Sequence, residues 1–432
     1  MIELLWLSYL IMVIFCYIIF NKDLTAPAFI FCSLYFFSIS LALINKDYWH
    51  LFLSDETFII LLVGGLLFIF LGIMFHRKYK TNINKLSTVK MDLIKISSKI
   101  AWSVVLFAII ISYLQYKATM DIAAQLGVSD SALIVAVVRE ATSYGTEMSI
   151  ATYVIQLEKI LGVISYMWLF IYINNGIIDK KHWRDIKLLF PVLIYLIINI
   201  LSGNRLMTLY FAGAGFSYYY IMLSYYRKNK VDSTKILRYV ILFFIILMAG
   251  FYSVRLLAGR VGSEQTELLQ YISSYAGGSI KLFDMFINDP VISDLWGKET
   301  FIPIHKTLQS WGIEHYPAYI AHKEFRDING IGLGNVYTAY RAWYADFGML
   351  GIVFLGGFVA VFYNYFYYKI RSQSIYNHRF ILIIYGYMSS GLFLHSIDDV
   401  FFPYFVSLGF LSILLLFWVL YYIVIKKVGC RM

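Results

Sequence analysis

The sequence predicts an all-α, polytopic integral membrane protein. Of its 432 residues, 60% are hydrophobic and only 14% are charged, and the mean hydropathy is +0.70. This composition is too apolar for an ordinary soluble domain. Apolar runs of about 20 residues, the length that a helix needs to cross a hydrocarbon core of roughly 30 Å, recur along the chain. Because lipid offers the backbone no hydrogen-bond partners, these runs are expected to be helices.

The apolar windows predict about eleven transmembrane helices, without an internal repeat or a low-complexity segment. They lie near residues 4–20, 26–44, 58–75, 100–116, 152–173, 188–201, 206–226, 239–252, 347–368, 380–393 and 401–425. The first window has no basic leader, so we expect an uncleaved span rather than a signal peptide. The simplest organisation is a single polytopic domain over residues 1–432, with large connections at residues 117–150 and 255–346.

The positive charge of the chain predicts its orientation. The net charge is +10, and 23 of the 36 Lys and Arg residues fall in alternate connections. Cytoplasmic loops retain such residues, so we expect the N-terminus outside, the C-terminus inside, and both large connections outside. Since the basic residues lie between spans, they do not indicate nucleic-acid binding. The three cysteines show neither a disulfide framework nor metal-ligand spacing.

A four-residue turn, Ser202-Gly203-Asn204-Arg205, joins two predicted spans and places Arg205 at the outer membrane level. An arginine is costly there. One interpretation is a side chain that snorkels to the interface. The other is an anion contact, because the guanidinium fork matches phosphate oxygens. Arg255 and Arg260 follow the eighth predicted span, so three arginines are expected at the outer face.

The second large connection is rich in aromatic residues. They are Trp296, Trp311, Tyr316, Tyr319, Tyr337, Tyr340, Trp343 and Tyr344. Their flat, amphipathic faces suit sugar rings, although an interfacial aromatic belt explains some of them equally well. Other ionisable residues of interest are Glu158 and Lys159 in the fifth predicted span, and His395, Asp398 and Asp399 in the last outward turn.

The 202–205 turn, the outer arginines and residues 334–351 resemble the pattern of bacterial oligosaccharide repeat-unit polymerases. These are the Wzy-type O-antigen and capsule polymerases, which are related to the O-antigen ligases. Similar proteins have an Asn-x-Tyr and an acid-x-Gly signature where a large outward loop re-enters the membrane. Here Asn335, Tyr337, Asp346 and Gly348 occupy those places. The chain departs from the ligases at Gly334, where they carry histidine, and at Asp346, where they carry glutamate.

The resemblance implies a GT-C-like membrane glycosyltransferase at the bacterial inner (cytoplasmic) membrane. On the outer face, the hydroxyl of a lipid-linked repeat unit would attack the anomeric carbon of a growing chain and expel undecaprenyl diphosphate. Arg205, Arg255 and Arg260 are expected to stabilise the departing diphosphate.

The base that accepts the hydroxyl proton is left open between Glu264, His305 and Asp346. For Asp346 the alternative is a carboxylate that only caps a helix start.

Substrate contacts are expected from six side chains of the long connection and the last outward turn. They are Asn335, Tyr337, Arg341, Trp343, Asp398 and Asp399. No metal or cofactor is expected, because the arginines already supply positive charge to a leaving group that departs as an intact diphosphate. The expected partners are undecaprenyl-diphosphate-linked oligosaccharides, membrane lipid, a chain-length regulator and a flippase.

Two other functions remain open. A ligase would differ only in the acceptor of the transferred chain. A flippase for lipid-linked oligosaccharides would spread its charges through a central cavity and would not need a long loop on one face.

Overall fold

The computed structural model describes residues 1–85, 92–143, 149–227, 231–253, 268–313, 323–328, 331–372 and 375–428. They form a helical bundle with one short β-hairpin. The helices are α1 (Ile2–Ile19), α2 (Pro27–Ile44), α3 (Asp55–Lys85), α4 (Ser98–Gln125), α5 (Ser131–Ser143), α6 (Thr152–Ile178), α7 (Phe190–Leu201), α8 (Leu206–Tyr226), α9 (Ser233–Ser253), α10 (Leu268–Ala276), α11 (Gly278–Asn288), α12 (Ile302–Ser310), α13 (Tyr340–Ser372), α14 (Ile375–Met388), α15 (Ser390–Phe393), α16 (Phe401–Phe405) and α17 (Leu408–Leu420). The antiparallel strands are β1 (Arg326–Ile328) and β2 (Ile331–Gly334).

The structure confirms an all-α membrane protein. Among the described residues, eight helices are long and apolar enough to cross a membrane: α1, α2, α3, α4, α6, α9, α13 and α17. Large apolar side chains on these helices remain exposed, such as Leu4 at 52%, Phe354 at 70% and Leu411 at 58%. Such faces are stable against lipid rather than water.

The other three predicted spans are also helical, but each is shorter or less apolar. α7 has 12 residues and α14 has 14. α8 has 21 residues, and it buries Ser217 and Tyr218 among its neighbours. A helix enclosed by other helices does not need a fully apolar surface, so polar residues are tolerated on α8. That α7, α8 and α14 also cross the membrane, which would bring the total to eleven, therefore remains a prediction.

The helical bundle has two ends, which are defined by where α3 and α8 begin. We call the end where α3 begins at Asp55 and α8 begins at Leu206 the loop end, and the opposite end the basic end. At the loop end, the Asp284 carboxylate of α11 accepts hydrogen bonds from the backbone N–H and hydroxyl of Ser54, at 2.8 and 2.9 Å. Lys281, also on α11, donates to the His50 carbonyl at 3.1 Å, and burial lowers the pKa of its ammonium group. α11 is thereby fixed on the start of α3.

Two predicted boundaries differ from the structure. The span predicted from residue 347 begins as a helix at Tyr340 and changes direction at Gly348, where φ is +59°. The last predicted span, residues 401–425, is divided into α16 and α17, and the Ser407 hydroxyl caps α17 by accepting from the Phe410 N–H at 3.0 Å. Hydropathy averages over a window, so it does not resolve a reversal or a break within an apolar run.

Candidate functional site

A rigid turn joins α7 to α8, in agreement with the sequence. The backbone reverses at Gly203, where φ is +80°, a conformation that glycine adopts at little cost. The Asn204 N–H donates to the Asn199 carbonyl at 2.8 Å, which ties the turn to the last residues of α7. This geometry gives Arg205 a defined position at the start of α8.

Arg205 is enclosed and is only 4% exposed. Its Nη1 and Nη2 atoms donate to the hydroxyls of Tyr271 and Tyr275 on α10, at 2.5 and 3.2 Å. Both tyrosine rings also lie 5.7 Å from the guanidinium carbon, within the range of a cation–π contact. This is not the position of a snorkelling side chain, which would extend to the interface.

A cavity of about 280 Å³ lies beside this turn, between α6, α7, α8 and the helices that follow α14. We call it the tyrosine cavity, because five tyrosines line it: Tyr166, Tyr195, Tyr210, Tyr387 and Tyr404. Its other polar lining residues are Glu158, Lys159, Asn199, Asn204 and Ser390. Rings that carry hydroxyls beside a carboxylate and an ammonium group provide stacking surfaces and hydrogen-bonding groups around one cavity.

Asp398 lies near two of the tyrosines that line the cavity, but it is not itself part of the described lining. Its carboxylate accepts a hydrogen bond from Lys323 Nζ at 2.6 Å. It is also within electrostatic range of the hydroxyls of Tyr210 and Tyr404, whose rings lie 6.5 Å apart. Through Asp398, the turn between α15 and α16 is hydrogen-bonded to the long connection and lies within electrostatic range of two cavity tyrosines.

Residues 336–347 form a segment that we call the re-entrant arm, because it starts inside the bundle and runs back toward the loop end. The Tyr340 hydroxyl packs against Gly64 of α3, nine residues and so about 13 Å from Asp55. Farther along, the Tyr344 hydroxyl donates to Glu56 at 2.5 Å, at the start of α3. The chain then folds back at Gly348, so that a Cβ on Gly356 would lie 3.5 Å from the Trp343 ring.

The inner end of the arm packs on the turn between α15 and α16. Trp343 Nε1 donates to Asp399 Oδ2 at 2.8 Å, and the Ala339 N–H donates to the His395 carbonyl at 3.0 Å. His395 is 1% exposed, with its Nδ1 atom 3.0 Å from the Tyr35 hydroxyl. The rings of Tyr340 and Trp343 pack on the imidazole at centroid distances of 5.1 and 5.2 Å. These residues form one packed unit that positions the arm.

Arg341 holds the long connection onto the arm. It is 2% exposed and is ion-paired with Glu299 and with Glu324, the latter at 2.5 Å. The guanidinium carbon lies 4.7 Å from the Phe286 ring and 5.3 Å from the Tyr337 ring. Two carboxylates compensate this buried charge, as a buried arginine requires. We predicted a substrate contact for Arg341, but the structure encloses it in protein.

Asp346 makes structural hydrogen bonds. Its carboxylate accepts from the Ser293 hydroxyl at 2.5 Å and from the backbone N–H groups of Glu299 and Thr300, at 3.1 and 2.7 Å. These contacts favour the capping alternative, although Asp346 caps the turn before α12 rather than its own helix start. His305, on α12, is 9% exposed and its Nε2 lies 3.0 Å from the Trp296 carbonyl. Neither candidate base lines the tyrosine cavity.

The remaining predicted contacts in this region are also internal. Asn335 Nδ2 lies 3.5 Å from the Lys323 carbonyl, and the Tyr337 hydroxyl donates to the Glu324 carbonyl at 3.1 Å. Tyr337 and Trp343 have no exposed surface, and Asp399 is 4% exposed. The expectation that these side chains face the substrate therefore does not fit their burial. Three further predicted residues, Arg255, Arg260 and Glu264, lie outside the described residues.

The tyrosine cavity contains residues that the sequence did not single out. Asn199 lies in an apolar span, where a polar residue has a cost and so provides a weak signal. The lining tyrosines provide no such signal, because the chain has 37 tyrosines and nothing in the sequence distinguishes these five from the others. Within the described ranges, no three His, Cys, Asp or Glu side chains are grouped so that they could hold a metal ion.

Comparison with protein-family models, with curated proteins and with solved structures gives no match to this chain.

Proposed function

We propose that this protein polymerises oligosaccharide repeat units linked to undecaprenyl diphosphate, as the Wzy-type polymerases do. The single observation that carries the proposal is the tyrosine cavity of about 280 Å³, next to the turn that resembles the polymerase motif. Asn204 of that turn lines the cavity, and Arg205 follows it in the chain. The product would be an O-antigen or a capsular polysaccharide.

The lining suits a carbohydrate. Tyrosine rings offer apolar faces to the C–H bonds of a sugar, while hydroxyls, amides and a carboxylate reach its polar groups. The volume is near the lower end of the range of about 300–1,000 Å³ for small-molecule sites. It therefore fits the sugar at the reacting end of the chain, not a whole repeat unit.

The cations near the cavity suit a diphosphate leaving group. Lys159 lines the cavity. Arg205 is the next residue in the chain after the lining residue Asn204, and its guanidinium lies against α10. In the proposed reaction, phosphate oxygens replace the hydroxyls of Tyr271 and Tyr275 as acceptors for Arg205, which requires α10 to move. Fixed cationic donors in an enclosed site stabilise the charge that develops as the diphosphate leaves.

Glu158 is the best-placed proton acceptor in the described cavity wall. The acceptor hydroxyl oxygen forms a bond to the anomeric carbon, and the bond from that carbon to the diphosphate oxygen breaks. The hydroxyl proton passes to Glu158, and the electron pair leaves with the diphosphate. Glu158 thus replaces His305 and Asp346 in our assignment, because it is the carboxylate that lines the cavity.

The proposed reaction takes place on the outer face of the bacterial cytoplasmic membrane, with the loop end outside, the N-terminus outside and the C-terminus inside. Ile155 of α6 and Ile413 of α17 contribute to the cavity wall. Nearby side chains of both helices are exposed, including Tyr153 and Leu411. The prenyl chain of the substrate can therefore remain in lipid beside this wall.

A ligase would use the same chemistry with another acceptor, so it remains the second candidate. A flippase is less well supported. Tyr218 of α8 has no exposed surface and donates to the Ile383 carbonyl at 2.8 Å, on the basic-end side of the tyrosine cavity. Among the described residues, this close packing leaves no transport path beside Tyr218, so it favours a reaction site at one end of the bundle over a flippase.

The test is to incubate the purified full chain with a single lipid-linked repeat unit and to separate the products by size. A ladder of longer lipid-linked products supports the polymerase. Transfer to a different added acceptor, without a ladder, indicates the ligase. Movement of the unit across a vesicle membrane without elongation indicates the flippase and overturns the proposal.

A further inference from the structure

A second cavity, of about 130 Å³, lies at the basic end of the bundle. We call it the basic-end cavity. Tyr220 and Ser224 of α8 line it, whereas Met207 and Tyr210 of the same helix line the tyrosine cavity. At 1.5 Å per residue, the nearest of these residues, Tyr210 and Tyr220, are separated by about 15 Å along α8. The basic-end cavity is therefore separate from the site described above.

Two residues that line this cavity carry a buried hydrogen-bond donor without a partner among the residues that the structure describes. These donors are the Tyr368 hydroxyl and Nε of Arg371. Tyr368 is 1% exposed, and the Arg371 side chain is 9% exposed. Native proteins rarely leave buried donors unsatisfied, so such groups indicate bound water or a bound ligand.

The charges around the cavity favour a negatively charged occupant. Lys80, Arg371 and His76 line it, and Asp23 is the one acidic residue among the described lining residues. Asp23 is already engaged by the protein. Its Oδ1 atom accepts from the Thr25 backbone and hydroxyl, at 3.1 and 3.0 Å. Its Oδ2 atom accepts from the Tyr367 hydroxyl at 2.5 Å and lies 3.6 Å from Arg371 Nη2.

The volume of the basic-end cavity suits a small group with several acceptor oxygens. Lys80 is exposed at the rim. His76 packs edge-on to Tyr368 at a centroid distance of 5.6 Å. A cavity of about 130 Å³ has the volume of about four water molecules. This space accommodates a phosphate group, whose oxygens accept from arginine, lysine and hydroxyl donors.

We propose that the basic-end cavity binds a phosphate group through Lys80, Arg371 and Tyr368. Two sources share this chemistry: the headgroup of an anionic phospholipid and free phosphate. The proposal is independent of the polysaccharide reaction, because none of these residues lines the tyrosine cavity.

The experiment measures thermal unfolding of the purified full chain in detergent with three probes: dioctanoyl phosphatidylglycerol, dioctanoylglycerol and inorganic phosphate. We expect the phospholipid to raise the unfolding temperature in a saturable manner, whereas dioctanoylglycerol, which lacks the phosphate, does not. Lys80→Gln should weaken this binding by roughly fivefold, the effect of losing one exposed charge contact.

Lys78→Gln is the matched control, because Lys78 lies on the same helix and is exposed but does not line the cavity. Tyr368→Phe is a second test. It removes the unpartnered hydroxyl and keeps the ring, so it should also weaken binding of the phospholipid. Stabilisation by inorganic phosphate alone, with the same dependence on Lys80, would assign the site to a free anion. The proposal is overturned if neither phosphate probe stabilises the wild type, or if Lys78→Gln and Lys80→Gln weaken binding equally.

Discussion

Trp343 Nε1 donates a hydrogen bond to Asp399 Oδ2 at 2.8 Å and so joins the re-entrant arm to the last outward turn. Asp399 Oδ1 accepts from the backbone N–H groups of Phe401 and Phe402, at 3.0 and 3.2 Å, at the start of α16. One buried carboxylate therefore fixes two segments that are far apart in the sequence. Asp398, the next residue toward the N-terminus, is held instead by Lys323 of the long connection.

The hydrogen bond between Trp343 and Asp399 should contribute to stability. Trp343→Phe should lower the free energy of unfolding by about 1–3 kcal/mol, because it leaves a buried Asp399 oxygen without its donor. Thermal unfolding in detergent measures the change. Trp296→Phe is the matched control, since Trp296 is 72% exposed, and it should have little effect. Equal changes in the two variants would show that the hydrogen bond is not the cause.

Glu158→Gln should abolish polymer formation while the protein stays folded. The amide preserves the shape of the side chain but cannot accept a proton from the acceptor hydroxyl. A ladder assay with purified protein measures the effect. Glu140→Gln, on α5, changes an exposed carboxylate that is not part of the cavity and should leave activity unchanged. A normal ladder from the Glu158 variant would exclude this residue as the base.

Arg205→Ala should also abolish polymer formation, and Arg205→Lys should restore little of it. A lysine supplies charge but not the two-pronged donor geometry with which arginine binds a diphosphate. Lys117→Ala removes an exposed cation from the predicted outer face and should have no effect. The assignment of Arg205 fails if the well-expressed alanine variant makes polymer of normal length.

The proposed orientation can be tested with reporter fusions. A fusion after Lys85 should report from the cytoplasm, and an insertion at the exposed Gly312 should report from the outside. The reason is that positively charged connections are retained in the cytoplasm. The opposite result at either position would place the tyrosine cavity on the wrong side for the proposed reaction.

Polymer formation should continue in excess EDTA. In the proposed reaction the leaving diphosphate is stabilised by arginine and lysine side chains, so no metal ion is required for charge compensation. The ladder assay with and without the chelator is the measurement. Loss of activity that Mg²⁺ or Mn²⁺ restores would contradict this prediction.

The sequence by itself determined the membrane class, the approximate positions of the long apolar helices and the four-residue turn that ends at Arg205. Each follows from local information, because a span is a contiguous apolar run and a tight turn is set by a few neighbouring residues. The sequence also identified Glu158 and Lys159 as unusual, since charge within a span is costly.

Only the tertiary structure decided which of the polar and aromatic residues are in contact with one another. Arg341 and Trp343 belong to a polar, aromatic segment that predicts a binding surface, yet they are buried because Glu299, Glu324 and Asp399 satisfy them from distant parts of the chain. A sequence pattern does not reveal whether a polar side chain is satisfied by the protein or remains available to a ligand. That distinction depends on contacts between segments that are remote in sequence, and these form only when the helices pack.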